Sequence, residues 1–168
     1  MKKQVIKIPN DFFHAIDNKG APFELKTGRH VNAGQLAETV YNYYTNGVIE
    51  YDTTSARFDV SSDVIDANGV GYSVKSGYFS LCKAGLLSAS DFSGMVKEFT
   101  ERSHSDFFVY MLPEKDFLTW NAYIMTKTEF IDFMNLRYNG RTVATLRKGT
   151  IRAGRCYGYI KHYLEKRV

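Results

Sequence analysis

The sequence predicts a mixed α/β fold, in which a β-sheet with a central β-hairpin is flanked by helices. Apolar residues recur at helical spacing in several separate segments. Apolar and polar residues alternate on both sides of Asn68-Gly69, a dipeptide typical of hairpin turns. Two continuous apolar runs, at 106–112 and 120–125, have the length of buried strands. Helices interspersed among strands in this way indicate a sheet covered by helices.

The first regular element is predicted to be a helix that begins near Asn32 and ends at Asn46-Gly47. Leu36, Val40 and Tyr43 have helical spacing, and Asn32 is a favourable N-cap residue. A short strand is expected at 48–51, and hairpin strands at about 57–66 and 71–81. The first thirty residues are predicted to be irregular.

The second half of the chain continues this alternation. A helix is predicted at about 90–102, then the two buried strands, and then a helix capped at Thr126 that runs to Met134. The remainder is predicted to be loop with a closing helix near 157–166. We expect one domain spanning 1–168, with a core at 32–136 and a basic C-terminal segment at 137–168.

Charge is distributed unevenly along the chain. The net charge is +4, yet residues 137–168 contain nine Lys and Arg against one acid, a net of +8, and the rest carries −4. Such a segment either meets the phosphates of a nucleic acid or is a solvated helix end. Tyrosines among its cations favour the nucleic acid, because rings stack on bases. The predicted contacts are Arg147, Lys148, Arg152 and Arg155.

Several classes of protein are not favoured. No apolar run approaches the length of a membrane span, and the start, Met1-Lys-Lys-Gln-Val-Ile-Lys-Ile-Pro9, is too polar for a secretory signal. Cys82 and Cys156 have no second cysteine or histidine at metal-ligand spacing, so neither a zinc site nor a disulfide framework is indicated. We therefore expect a soluble, cytoplasmic protein with no membrane partner.

The predicted hairpin places an acid and a lysine on neighbouring strands. A two-residue turn at Asn68-Gly69 would pair Val64 with Ser73 and mix the oily and polar faces. A three-residue loop from Asn68 to Val70, with Gly69 at positive φ, instead pairs Asp63 with Lys75. We therefore predict the longer loop or a bulge, with Asp63 and Lys75 facing each other.

Gly34-x-x-x-Glu38, Asp63 and Lys75-Ser76-Gly77 occur in the order helix, strand, hairpin strand. In this respect the chain, from about Gly34 to Met134, resembles the PD-(D/E)XK nuclease superfamily, which includes restriction endonucleases and Holliday junction resolvases. The resemblance implies a restriction-endonuclease-like fold, Mg²⁺ or Mn²⁺ as cofactor, DNA as substrate and a homodimer. The implied activity is metal-dependent cleavage of DNA.

The resemblance also implies roles for individual residues. Glu38 and Asp63 would hold the metal with the carbonyl of Val74, and Lys75 would position the attacking water. Ser73 stands where the family has an acid and, as one of the four site residues, would contribute weakly. Ser62 stands where the family has a proline.

Alternatives remain open at this point. Asp59 lies on the same strand face as Asp63 and is a rival ligand, whereas Glu24-Leu25-Lys26 is an acid-x-lysine triplet without a hairpin of family length. A second hypothesis is a catalytically inactive DNA-binding or assembly protein of the same fold. It is supported by Ser73, because a serine is a poor metal ligand. A third possibility is an unrelated α/β interaction protein.

Overall fold

The structure is a computed structural model that describes residues 1–12, 33–49, 61–76, 92–114, 116, 118–138, 141–142 and 155–168. Within these ranges the chain forms a mixed six-stranded sheet, flanked by helices, and a separate two-stranded sheet. The sheet strands are β1 (Lys2–Lys7), β2 (Val48–Ile49), β3 (Val64–Ile65), β4 (Gly71–Ser76), β5 (Phe107–Pro113) and β6 (Thr119–Met125). The helices are α1 (Ala33–Thr45), α2 (Phe92–Arg102), α3 (Lys127–Met134) and α4 (Arg155–Glu165). Strands β7 (Arg137–Tyr138) and β8 (Arg141–Thr142) pair with each other.

The order of strands across the large sheet is β1-β6-β5-β4-β3-β2. Strands β2, β3 and β4 are antiparallel neighbours, and β4 and β5 are parallel. A parallel pair needs a long crossover, and α2 lies in the connection between these two strands. Strand β6 returns antiparallel to β5 and pairs on its other side with β1. The candidate lysine is therefore on a central strand.

Each face of the sheet has its own hydrophobic core. On one face, α1 packs through Leu36, Val40 and Tyr41 against a core that includes Val64 and Val74. The helices α2, α3 and α4 cover the other face, around side chains of β5 and β6. The main members of this second core are Val96, Phe99, Phe108, Tyr110, Phe130, Phe133, Ile160 and Leu164. The molecule thus has three layers, an α1 layer, the sheet and an α2–α4 layer.

The predicted helices are found at the expected places, with boundaries within a few residues. The first hairpin strand, predicted at about 57–66, is found only at Val64–Ile65, since 61–63 are not part of a strand and 57–60 lie outside the described residues, as do 77–81 of the second strand. Asn46, at the predicted end of α1, has a positive φ of 53°. Thr126 caps α3 and forms a reciprocal capping box with Glu129, because its hydroxyl accepts the Glu129 N–H and Glu129 accepts the Thr126 N–H. These local signals predicted the elements correctly.

Two expectations were wrong. The first thirty residues are not irregular throughout, because Lys2–Lys7 forms β1 at the edge of the sheet. This strand buries Ile6 against the sheet and leaves Val5 exposed. Residues 137–142 were predicted to be loop and instead carry β7 and β8. None of the helices within the described ranges is long and apolar enough to cross a membrane.

Candidate active site

The Asp63 carboxylate is held by three donors from β4. Its Oδ2 accepts the Val74 N–H at 2.6 Å, the Lys75 ammonium at 3.0 Å and the Ser73 hydroxyl at 3.1 Å. Hydrogen bonds to a charged acceptor of this kind are shorter and stronger than those between neutral groups. All three donors share one oxygen, and Oδ1 accepts no hydrogen bond from the described part of the chain. One carboxylate oxygen thus fixes the orientation of the side chain.

The hairpin register differs from the predicted one. Val64 pairs with Tyr72, and the Asp63 N–H also donates to the Tyr72 carbonyl. The loop has three residues as expected, but they are 67–69, because Asp66 N–H donates to the Val70 carbonyl. Gly69 has the predicted positive φ, at 80°. Asp63 therefore does not lie opposite Lys75: it lies beside Tyr72 and reaches Lys75 diagonally, through the side chain.

Lys75 lies close to the carboxyl end of β4 and is mostly enclosed. Its side chain is 13% exposed and that of Asp63 is 17% exposed. The ammonium also lies 5.9 Å from the centroid of the Phe99 ring on α2, within the range of a cation–π interaction. A carboxylate and an aromatic ring together orient this lysine.

Ser73 is the residue that stands in place of the expected acid, and its side chain points to the same face as Lys75. Ser73 is only 1% exposed and its hydroxyl donates to Asp63. A hydroxyl this deeply buried has no access to a substrate in this conformation. Its contribution is to hold Asp63 in place.

Glu38 lies on the opposite side of the sheet from Asp63 and Lys75. It is half-buried on α1, whose apolar face packs against Val64 and Val74. Because successive strand residues point to opposite faces, Val74 faces α1 whereas Ser73 and Lys75 face α2. The structure brings Asp63, Ser73 and Lys75 together, and it places Glu38 on the helix of the opposite layer.

The fit to a divalent ion rests on few protein ligands. Asp63 Oδ1 is one candidate ligand, and the Val74 carbonyl is another. The N–H and C=O groups of a strand residue point to the same side of the strand, and the Val74 N–H points at Asp63. Mg²⁺ keeps several waters and uses only one or two carboxylates, so this set suits a largely hydrated ion. Among the described residues, no group of three or more His, Cys, Asp or Glu side chains is placed to hold a metal.

The basic C-terminal segment is described only in part. Arg155 is the first residue of α4, and Arg147, Lys148 and Arg152 lie outside the described residues, as do Asp59 and the Glu24-Leu25-Lys26 triplet. Helix α4 buries Ile160 and Leu164 in the α2–α4 layer. The described end of the basic segment is therefore anchored on the sheet face that carries Lys75.

A further ion pair lies in this layer. Glu114 Oε1 accepts from Lys161 at 3.1 Å and from the Asn121 amide at 2.6 Å. The hydrogen bond from Lys161, followed by that from Asn121, lowers the pKa of Glu114 below its ordinary value, against the opposing effect of burial. Sequence reasoning did not single out this contact, because its partners come from β6 and α4.

Sequence reasoning also missed a buried serine pair beside Asp63. Ser62 is 5% exposed and Ser105 is 1% exposed, and the Ser105 hydroxyl donates to the Ser62 hydroxyl at 3.2 Å. The only sequence signal at this position was that Ser62 stands where the resemblance implies a proline. Its partner is 43 residues away and could not be identified from spacing.

Comparison of the chain with protein-family models, with curated proteins and with solved structures finds no match.

Proposed function

We propose that the protein is a metal-dependent endonuclease that hydrolyses phosphodiester bonds in DNA and has a restriction-endonuclease-like core. The observation that carries this proposal is the 3.0 Å contact between Lys75 Nζ and Asp63 Oδ2 near the carboxyl end of β4. The order of elements supports it as well. Helix α1 is followed by the aspartate immediately before β3 and by the lysine on β4.

Asp63, Val74 and Lys75 each have a chemical task in this proposal. Asp63 offers Oδ1 to Mg²⁺ or Mn²⁺ and keeps its other oxygen for the donors of β4. Val74 offers its carbonyl, whereas Glu38 lies on the opposite face of the sheet and has no task assigned here. Lys75 orients the attacking water and offsets phosphate charge. A divalent ion bound here would supply charge neutralisation at phosphorus and a more acidic water.

The substrate side of the proposal rests on charge. Residues 137–168 carry a net +8, and α4, which belongs to this segment, packs in the layer that Lys75 faces. A basic segment on that side would hold the DNA backbone close to Asp63 and Lys75. Cutting both strands of a duplex calls for two active sites, so the proposal includes a homodimer.

Plasmid cleavage tests this function. The parent protein, Asp63→Ala and Lys75→Ala are incubated with supercoiled plasmid and Mg²⁺ or Mn²⁺. Loss of a general base or a ligand should lower the rate by about 10² or more. Matched controls are Lys97→Ala and Glu98→Ala, which each break an exposed ion pair on α2 and should leave the rate unchanged. Glu38→Ala tests whether the α1 layer contributes. A parent that cuts with neither metal, or equal cutting by all variants, contradicts the proposal.

A second candidate is a DNA-binding or assembly protein of the same fold that does not cut. The observation in its favour is Ser73, whose hydroxyl replaces a metal-ligating acid. Binding of duplex DNA by the parent without cleavage in either metal would select this candidate. No DNA binding at all would point instead to an interaction protein unrelated to nucleases.

Ser73→Glu tests the metal site by adding a carboxylate beside Asp63. The Ser73 hydroxyl lies 3.1 Å from Asp63 Oδ2, so a carboxylate there would repel Asp63 unless a divalent cation lies between them. We expect Ser73→Glu to lower the melting temperature in EDTA, and Mg²⁺ to restore more of it than in the parent. Ser73→Gln, which is similar in size and uncharged, is the control. An equal response to Mg²⁺ in both variants would contradict a metal site here.

A further inference from the structure

Asp63 can accept three donors from β4 only if the residues before β3 are held at the right distance from that strand. These residues, 61–63, lie outside the paired part of β3, which begins at Val64. One backbone hydrogen bond, from the Asp63 N–H to the Tyr72 carbonyl, ties this segment to β4, and a second contact comes from a side chain. The buried hydroxyl of Ser62, immediately before Asp63, makes that contact with Ser105.

Ser62 also fits into the space beside a glycine of β4. A Cβ atom built on Gly71 would lie 2.3 Å from Ser62 Oγ, far inside van der Waals contact. The absence of a side chain at Gly71 thus leaves room for the Ser62 hydroxyl. This packing joins the segment before β3 directly to the strand that supplies the three donors.

The partner of Ser62 is fixed in turn. The Ser105 N–H donates to the Ser103 hydroxyl, and Lys127 of α3 donates to the Ser103 carbonyl. The next residue, Asp106, exchanges hydrogen bonds of 2.8 Å with Gly71 in both directions, through its carboxylate and its own N–H. Ser105 is therefore a rigid anchor, built from the loop between α2 and β5.

We propose that Ser62 and Ser105 are positioning residues, whose buried hydroxyl pair sets the distance between Asp63 and β4. A proline, the residue that the resemblance implies at 62, restricts the backbone through its ring. A serine cannot do so, and here a hydrogen bond to Ser105 takes over that task. The consequence for catalysis rests on the proposed function, whereas the effect on Asp63 does not.

The test uses the amide proton of Val74, which bonds to Asp63 Oδ2 at 2.6 Å. Its NMR chemical shift reports that bond in the full-length protein, whether or not the protein cuts DNA. We expect the signal to move towards its value in Asp63→Ala when Ser62→Ala or Ser105→Ala is introduced. Thr100→Val is the control, since it removes another buried hydroxyl, one that bonds within α2.

The double variant Ser62→Ala/Ser105→Ala separates positioning from stability. A single alanine leaves one buried hydroxyl unsatisfied, whereas removing both partners can be nearly neutral for stability. We therefore expect the double variant to regain melting temperature while the Val74 signal remains displaced. A Val74 signal that stays at the parent value in all three variants would overturn the proposal.

A cleavage assay adds a second readout. If the parent cuts plasmid, Ser105→Ala should lower kcat by about 10- to 100-fold, since misplacement of a reacting group has effects of this size. KM should change little, because the basic segment is untouched. A parent without cleavage defeats the proposed function alone, and the Val74 signal still decides the positioning role. Unchanged kcat together with a displaced Val74 signal would overturn the link to catalysis.

Discussion

Single atoms decide the geometry around Asp63. Its Oδ2 accepts three hydrogen bonds because the side chains of Ser73 and Lys75 lie on the same face of β4 and the N–H of Val74, between them, points towards Asp63. A small shift of Asp63 would weaken all three bonds at once. The residue before Asp63, Ser62, packs closely against Gly71 of β4.

Gly71→Ala should destabilise the protein through this packing. The new Cβ would meet Ser62 Oγ at 2.3 Å, and overpacking of this kind costs about 1–3 kcal/mol. In a Ser62→Ala background the hydroxyl is absent, and the same substitution should cost at least ~0.5 kcal/mol less. Urea unfolding of the four proteins in this cycle measures both values.

Gly69→Ala is the matched control for that cycle. A Cβ at Gly69 would meet nothing within 4 Å, but its φ of +80° is strained for alanine, at about 1–2 kcal/mol. Since this cost comes from the backbone, Ser62→Ala should not change it. Equal coupling of Ser62 to both glycines would refute the steric explanation.

The turn of the hairpin makes stability depend on pH. Hydrogen bonds from the N–H groups of Val70 and Asn68 and from the Tyr72 hydroxyl lower the pKa of Asp66 below 3.8, with Val70 contributing most. A lowered pKa means that Asp66 stabilises the fold above its unfolded pKa, and that this stabilisation is lost as pH falls through the folded value. We therefore expect Asp66→Asn to lose less stability than the parent between about pH 5 and pH 2, measured by urea unfolding.

Asp116→Asn is a useful comparison for Asp66→Asn. Backbone N–H groups of Thr119 and Leu118 lower the pKa of Asp116 in the same way, in the turn before β6. Because the two turns share no partner, the effects of both substitutions on the acid profile should add. A profile of Asp66→Asn parallel to that of the parent would show that the turn carboxylate is not responsible.

At the scale of elements, helices and strands with strong local sequence signals could be predicted, and those with weak signals could not. Helix α1 was predictable because Leu36 and Val40 mark one face and Asn46 stops the helix. Strand β1 was not, because it is an edge strand that has only Ile6 fully inside and exposes Val5. Strands β7 and β8 contain two residues each, too few for alternation to show.

The candidate site was predictable to a similar extent. Alternation along the hairpin correctly placed Asp63, Ser73 and Lys75 on one face, since the predicted loop and the observed loop both have three residues. The register was wrong because the position of a three-residue loop depends on side-chain contacts, and here Asp66 accepts the N–H groups of Asn68 and Val70. The side of the sheet on which each helix packs depends on long-range contacts, and the spacing of residues along the sequence does not predict it.

Helix α3 offers a test of how much a predictable cap contributes. Thr126→Ala removes the hydroxyl that accepts the Glu129 N–H, and should lower the free energy of unfolding by about 1 kcal/mol. Thr128→Ala, an exposed position inside the same helix, should be neutral or slightly stabilising because alanine has the higher helix propensity. Urea unfolding measures both, and equal losses would mean that the capping box contributes nothing.

At the scale of the molecule, charge is divided unevenly between two parts of the chain. The body carries −4 and the segment 137–168 carries +8. The described part of that segment, α4, is anchored in the α2–α4 layer by Ile160 and Leu164. Strand β1, with Lys2 and Lys7 exposed, lies at the far edge of the sheet from β2 and β3. Cations in these two places should therefore differ in their effect on DNA binding.

Two matched pairs of substitutions test this difference. Arg147→Gln/Lys148→Gln and Lys2→Gln/Lys7→Gln each remove two positive charges, and binding of a duplex is measured in EDTA over a range of salt concentrations. If the basic segment contacts phosphates, the first pair should reduce the slope of log K against log salt by up to about 1.8, since each contact contributes ~0.9. The second pair should leave the slope unchanged, because it acts only through net charge. Equal slopes in the two variants would show that overall charge, and not a surface at the basic segment, attracts the DNA.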